Sequence, residues 1–228
     1  MKKNVIVGAL VLSSAVFAAN VQAATVSGGS FSNAQQTTEI NQTGSLALFD
    51  SSLGTLNSVT FNFFGDGQTS FGATNNAAQS QLFKIDSAVN LFYGSTNASI
   101  DAILSGLSQP LVILSFTTGF QNIAAGQTKN FGPFTGTDSA NAVLNAGLAA
   151  FQQAGGGSFI VSCTSLSSIG VTGGGGNIAT TQATTAGCGA DISYDYTPGT
   201  TRVPEPAGLA VMGLGLAGIA AFRRRKAA

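Results

Sequence analysis

Histidine and tryptophan are absent from this 228-residue sequence, charged residues make up only 8% of it, and cysteine occurs twice. Without histidine there is no Ser-His-Asp or Cys-His catalysis, no imidazole metal ligand, and no side chain that ordinarily titrates near neutral pH. So little charge excludes a charge-rich disordered tail or a coiled coil. With no Trp and three Tyr against 16 Phe, a strong sugar-stacking platform is disfavoured and Phe reads as core filler. Cations are scarce where a body would display them. Seven of nine lie in the tails, at Lys2, Lys3, Arg202, Arg223, Arg224, Arg225 and Lys226. Between residues 24 and 201 only Lys84 and Lys129 oppose eight carboxylates, Glu39, Asp50, Asp66, Asp86, Asp101, Asp138, Asp191 and Asp195, for a net of −6. An acidic body repels phosphates, so no nucleic-acid partner is expected. What is present is 44% apolar residues and 30 glycines, enough for one ordinary domain built from small side chains.

The amino terminus reads Met1-Lys2-Lys3, then an apolar stretch from Val5 to Ala19, then Val21-Gln22-Ala23-Ala24. Cationic start, apolar middle and small residues at the end predict a secretory signal peptide over 1–23. Signal peptidase is expected to cut after Ala23, with Ala24 the alternative. At the other end Val203-Pro204-Glu205-Pro206 precedes the uncharged segment Ala207 to Phe222, closed by Arg223, Arg224, Arg225 and Lys226. Sixteen helical residues span roughly 24 Å, short of a ~30 Å hydrocarbon core, so this is a marginal anchor needing local thinning or snorkelling arginines. The cations stay cytoplasmic, which places everything before Pro204 outside the inner membrane.

That order of Pro-Glu-Pro, short apolar helix and arginine cluster resembles the PEP-CTERM sorting signal of Gram-negative bacteria. The resemblance implies an exosortase acting near Pro204, Glu205 and Pro206, with Ala207 to Phe222 a transient inner-membrane segment and Arg223 to Lys226 its stop-transfer cluster. The processed protein would then sit at the cell surface or outside it. Residues 198–203 are read as the linker and 204–226 as the signal.

Residues 24–197 alternate. Val59, Phe61 and Phe63 share one face with Thr60 and Asn62 between them, and Phe83, Ile85, Val89, Leu91 and Tyr93 repeat the pattern around Lys84, Asp86, Ala88 and Asn90. Period two predicts half-buried strands. Phe159 to Val161 and Ile192 to Tyr196 add two more, and Leu111 to Phe116 suits a strand covered on both faces or a short helix. Gly65-Asp66-Gly67 and Asn75-Asn76 read as breaks at hairpin intervals. Ile100, Ile103, Leu104 and Leu107 follow helical spacing, but Gly106 interrupts it and a single turn packed on a sheet satisfies it equally. Thr137 or Asp138 is expected to cap a helix through Val143, Leu144, Leu148 and Phe151 that stops at Gly155. The fold class is all-β, an antiparallel β-sandwich or jelly-roll-like domain with one short helix.

An exported chain meets an oxidising compartment, so Cys163 and Cys188 are expected to pair, the alternative being two separate buried thiols. Cys163 is in phase with Phe159 and Val161, and Cys188 with Ile192, Tyr194 and Tyr196 if its strand begins that early. Closing the glycine-rich loop between them contributes on the order of 3 kcal/mol.

The body also resembles choice-of-anchor E domains, through Phe49-Asp50-Ser51-Ser52-Leu53-Gly54-Thr55-Leu56-Asn57-Ser58-Val59, Leu148 to Phe151, residues 157 to 159 and Tyr194-Asp195-Tyr196-Thr197-Pro198. The resemblance implies a secreted β domain found with alternative surface-anchoring tails.

No local spacing singles out a carboxylate pair for glycosidase chemistry. Asp66, and Asp191 with Asp195, are candidate calcium ligands, although Asp191 and Asp195 share the parity of outward Ser193. Gly173 to Gly176 lacks the Lys-Ser or Lys-Thr of a P-loop and reads as a hinge or surface loop. No Ser lies in Gly-x-Ser-x-Gly. The sequence therefore predicts an exported, non-enzymatic surface or extracellular-matrix protein without cofactors. Its processing partners are signal peptidase and exosortase, and its outside partner is extracellular polysaccharide. The alternatives are a glycan- or calcium-binding module and, third, a carboxylate-dependent hydrolase.

Overall fold

A computed structural model describes residues 22–199 and Gly213, and across that span the alternation of apolar and polar residues becomes strand after strand. In chain order these are β1 (Ala24–Ser32), β2 (Gln36–Thr37), β3 (Asn41–Asp50), β4 (Gly54–Asn75), β5 (Gln81–Ser95), helix α1 (Ala98–Ser105), β6 (Val112–Thr117), β7 (Gln121–Ile123), β8 (Thr128–Leu144), β9 (Gln152–Gln153), β10 (Gly157–Gly173) and β11 (Ile178–Pro198). They form two sheets. The first runs β1-β11-β4-β8, with β2 also on β11; the second runs β6-β5-β10-β3-β9, with β7 also on β5. All pairs are antiparallel except β3 with β9. The sheets curl toward each other at both margins, where β6 meets β8 and β1 meets β3. The result is a mostly β, sandwich-like fold with one short helix.

Inward side chains of both sheets make one core. Val59, Phe61 and Phe63 of β4 face Phe83, Ile85, Val89 and Leu91 of β5, all fully buried. Phe61 lies 5.1 Å from Phe63, 5.7 Å from Phe151 and 6.4 Å from Phe159 between ring centroids, the last two edge-on. Each such ring removes well over 100 Å² from water, so a chain without Trp still fills its interior.

Four expectations change. The segment expected to be a helix from Thr137 onward is β8 as far as Leu144, and only Leu148–Phe151 turns, as a single 3-10 turn. Its Ser, Asn, Asp and β-branched Val are poor helix formers, and β4 offers a long partner from Val59 to Thr74. The helix is instead the one interrupted by glycine. Asn97 caps α1 by accepting the N–H groups of Ser99 and Ile100, Ile100 and Leu104 are buried, and Gly106 ends it. Gly65-Asp66-Gly67 is no break but the middle of β4, paired on both sides. Finally, β6 is a strand covered on one face, with Val112, Leu114 and Phe116 buried and Ile113 exposed.

The expected hairpins are mostly arches. Connections β3 to β4, β4 to β5, β7 to β8, β8 to β9 and β10 to β11 all carry the chain from one sheet to the other. The arch after β10 is built from Gly173, Gly174, Gly175 and Gly176, every one at positive φ, which L-residues with a Cβ rarely adopt. β11 runs to Pro198, opposite Gly54, one residue past the expected end of the domain.

Candidate functional site

A disulfide and several hydrogen bonds bolt the two sheets together. Cys163 of β10 and Cys188 of β11 form the expected disulfide, with Cα atoms 6.6 Å apart and both residues buried. Beside it Gln42 of β3, also buried, accepts the Cys188 N–H at 3.2 Å and donates to the Ala34 carbonyl at 2.8 Å. Tyr93 of β5 reaches across to the Phe64 carbonyl of β4 at 2.8 Å, and Tyr194 of β11 reaches back to the Ala47 carbonyl of β3 at 2.6 Å. Burial pushes both phenols well above their ordinary value of 10.0. The phase of Cys163 and Cys188 foretold the disulfide. Gln42 and the two phenol bonds went unread, although a tyrosine in phase with a buried face signals an acceptor somewhere opposite.

Seven of the eight body carboxylates are tied into the fold by groups of the chain itself. Asp50 accepts the N–H groups of Ser52 and Gly155, both at 2.9 Å, and so holds the β3–β4 turn against the loop before β10. Those backbone hydrogen bonds, Ser52 first, lower its pKa. Glu39 takes the N–H of Ser167 at 2.8 Å and its hydroxyl at 2.7 Å. Asp101 takes the Ser95 N–H, and Asp138 of β8 takes the Ile113 N–H of β6, both at 2.9 Å. Asp86 pairs with Lys84 at 2.7 Å, and the lysine's hydrogen bond, then that of Thr117, lowers its pKa.

The candidate calcium ligands are not brought together. Asp191 lies opposite Asn62 and accepts its amide at 2.9 Å, while Asp66 sits four residues further along β4 and accepts from Gln35. Four strand residues are roughly 13 Å, beyond one coordination sphere. Among the described residues no three His, Cys, Asp or Glu side chains cluster as metal ligands would, and no helix is long and apolar enough to cross a membrane.

The outer face of the first sheet is largely a plate of polar side chains, with Val143 exposed opposite Thr60. Its rungs read Ser27–Ser193–Thr60, Ser30–Asp191–Asn62–Asn141 and Thr37–Thr185–Gln68–Thr135, each side chain directly opposite the next. The hydroxyls of Thr74 and Thr128 are 2.8 Å apart on another rung. The concavities are shallow and open. One of about 580 Å³ crosses the outer face of the second sheet over Ala88, flanked by Asp86, Ser115, Thr117 and Ser168. Another, of about 420 Å³, holds Asp66 and Asp138, each already bonded to its own tie.

Of the terminal sites, Ala23 is exposed and Ala24 opens β1 opposite Tyr196. Residues 1–21 of the signal peptide lie outside the described residues, as do the remainder of the linker past Gly199, Pro204, Glu205, Pro206 and the cluster Arg223, Arg224, Arg225 and Lys226.

No curated protein matches the chain. Among solved structures it is similar to the Mud crab tombus-like virus particle, at 11% identity over 93% of this chain and 96% of that one, TM-score 0.22. The T13 particle of infectious bursal disease virus gives 11% identity over 86% and 46%, TM-score 0.15. The Bacillus thuringiensis toxin parasporin-2 gives 12% over 77% and 69%, TM-score 0.13. Overlays this loose carry no argument. The carboxy-terminal segment does carry one: residues 202–226 match the PEP-CTERM protein-sorting motif, which marks the chain as an exosortase-processed protein exported through the cell envelope to the surface.

Proposed function

We propose that the chain is a structural or adhesive component of the cell surface or extracellular matrix, without catalytic activity. The observation that carries the reading is the sorting motif over 202–226. Signal peptidase removes residues 1–23, and Ala24 then begins the mature chain within β1. The segment Ala207 to Phe222 holds the chain transiently in the inner membrane, with Arg223 to Lys226 on the cytoplasmic side. Exosortase cuts near Pro204, Glu205 and Pro206. The body is a choice-of-anchor E-like domain whose signature around Asp50 serves the β3–β4 turn. Two observations support a passive role. The carboxylates a hydrolase would need are engaged as structural ties, and the concavities are open troughs.

A second reading, a glycan-binding module, draws on the polar plate, whose repeated hydroxyls and amides suit weak multipoint hydrogen bonding to extracellular polysaccharide. Calcium binding draws no comparable support, because Asp66 and Asp191 stand apart.

Intact-mass measurement of the protein recovered outside an exosortase-bearing host tests the main reading. Loss of residues 1–23 and of everything beyond the Pro-Glu-Pro region is expected, and a full-length carboxy terminus overturns it. Co-sedimentation with the host's polysaccharide, abolished by replacing Thr60, Gln68 and Thr135 with lysine, would favour the second reading.

A further inference from the structure

The outer edge of β10 changes character halfway along. β3 accompanies the strand from Gly157 to Thr164 and β5 joins it on the other side from Val161, but beyond Thr164 β5 alone continues, to Gly173. The Ile40 carbonyl takes the Ser165 N–H at 3.2 Å, and the Glu39 carboxylate takes the Ser167 N–H at 2.8 Å. Beyond that, no strand among the described residues covers this side. By the alternation of backbone groups along a strand, the N–H and C=O of Ile169 and Val171 point to the uncovered side, as those of Ser165 and Ser167 do. Ile169 is 42% exposed and Val171 40%, although they continue the inward-facing series of Val161 and Cys163.

Sheet edges are usually blunted by charge, proline, bulges or brevity, and the other edges of this fold carry such devices. β8 has Lys129, Pro133 and Asp138; β1 has a bulge between Ser27 and Ser30; β6 is six residues long and gives its Ile113 N–H to Asp138; β9 is two residues long. Residues 168–173 of β10 contain no charge and no proline, and all six are exposed.

We propose that this edge pairs with the same edge of a second copy of the chain, antiparallel about a two-fold axis at Gly170. In that register Ile169 faces Val171 of the second copy, and Val171 faces its Ile169. Each pair exchanges both backbone bonds, and the four apolar side chains gather on one face. Ser168 meets Thr172, and the two Gly170 residues form the close, non-bonded pair at the axis. The body's net charge of −6 does not concentrate here. Lys84 and Asp86, on the neighbouring strand beside Thr172 and Gly170, neutralise each other. Glu39 is anchored at Ser167, and the two copies of Ser167 stand six residues apart along the paired strands, about 20 Å, more than twice the screening length at physiological salt. The shared edge is short, so association is weak and concentration-dependent, which suits molecules crowded on a surface. The inference does not depend on the processing route or on the plate's ligand.

Cysteine at position 170 reads the axis directly, since a Cβ there meets nothing closer than the Asp86 carbonyl at 3.9 Å. In the mature exported protein, Gly170→Cys is expected to give a disulfide-linked dimer on mild oxidation, whereas Ser45→Cys, on exposed β3, stays monomeric. Sedimentation velocity of the unaltered protein should show weight-average mass rising toward twice the monomer with concentration. Val171→Lys should abolish the rise while leaving the circular dichroism and thermal midpoint unchanged. Cross-linking of Gly170→Cys no faster than of Ser45→Cys, a monomer at every concentration, or growth past the dimer would each overturn the two-fold pairing.

Discussion

Along one margin of the sandwich β6 and β8 shield each other, while on the far side of the second sheet β3 leaves β10 uncovered after Thr164. The sealed margin is made by particular contacts. Asp138 reaches from one sheet to the Ile113 N–H of the other, and the Phe116 ring lies against Gly136 and Gly67, where a Cβ would come within 3.1 Å and 3.6 Å of it. The open margin has the same period-two alternation of residues but nothing to receive them, so Ile169 and Val171 stay partly in water. Burial follows from what the opposite layer supplies as much as from the pattern of a strand itself. One sequence feature therefore has two consequences in one domain.

The strongest way to break the contrast is to open the sealed margin. Phe116→Ala removes a buried ring whose site cannot collapse around the glycines that made room for it. A loss of about 3–5 kcal/mol is expected from the denaturant midpoint, together with faster hydrogen exchange in β6 and the β8 residues beside it.

Next in size is the Cys163–Cys188 disulfide, which ties β10 to β11 on the inside just before β10 loses its outer neighbour. Replacing both cysteines with serine should cost about 3 kcal/mol, as expected for releasing a loop of this length. Reduction of the unaltered protein should lower the midpoint by a similar amount. If the disulfide anchors the half-covered strand, exchange protection should fall first in β10 beyond Thr164.

Strand faces were legible in the sequence because period two survives translation into structure almost unchanged, as Val59 to Phe63 and Phe83 to Tyr93 show. The disulfide was legible for the same reason. Which strand neighbours which was not, because the turns do not record whether the chain doubles back in its own sheet or arches to the other. The open half of β10 was hidden too, since it is set by where β3 begins, at Asn41, over a hundred residues earlier. The stretch after Thr137 misled because a cap candidate is followed by Val143, Leu144, Leu148 and Phe151 at helical spacing, while the vacancy beside β4 decided the matter at long range. The sorting signal was the most legible part. Its readers recognise a linear order of residues, so no fold has to be inferred to find it.

A smaller effect is expected at the tyrosine bolts. Tyr194→Phe leaves the Ala47 carbonyl without its 2.6 Å donor and should cost about 1–3 kcal/mol. Because burial raises the phenol pKa in the folded state above its unfolded value, the folded protein holds the proton more tightly. This contribution is complete below pH 10 and is lost as pH rises beyond it. Thermal midpoints should therefore fall in alkali, and Tyr194→Phe should flatten the fall without removing it, because Tyr93 titrates in the same sense.

The smallest effect sharpens the comparison most. Ile169 has the residue type and strand phase of a core position, and a core isoleucine changed to threonine would lose a buried ethyl group and gain a buried hydroxyl. At 42% exposure it keeps its outer part in water, and Thr preserves the β-branched preference for a strand. Ile169→Thr should thus shift monomer stability by no more than about 0.5 kcal/mol, as at ordinary surface positions. At Ile85, which lies two strand positions from Phe83 and is fully buried, the same change should be severalfold more costly. Equal losses at the two sites, measured by urea unfolding in dilute protein, would mean that the margin beside β10 closes in solution within a single chain. A near-zero loss at Ile169 alone would mean that its apolar surface is stably presented to solvent.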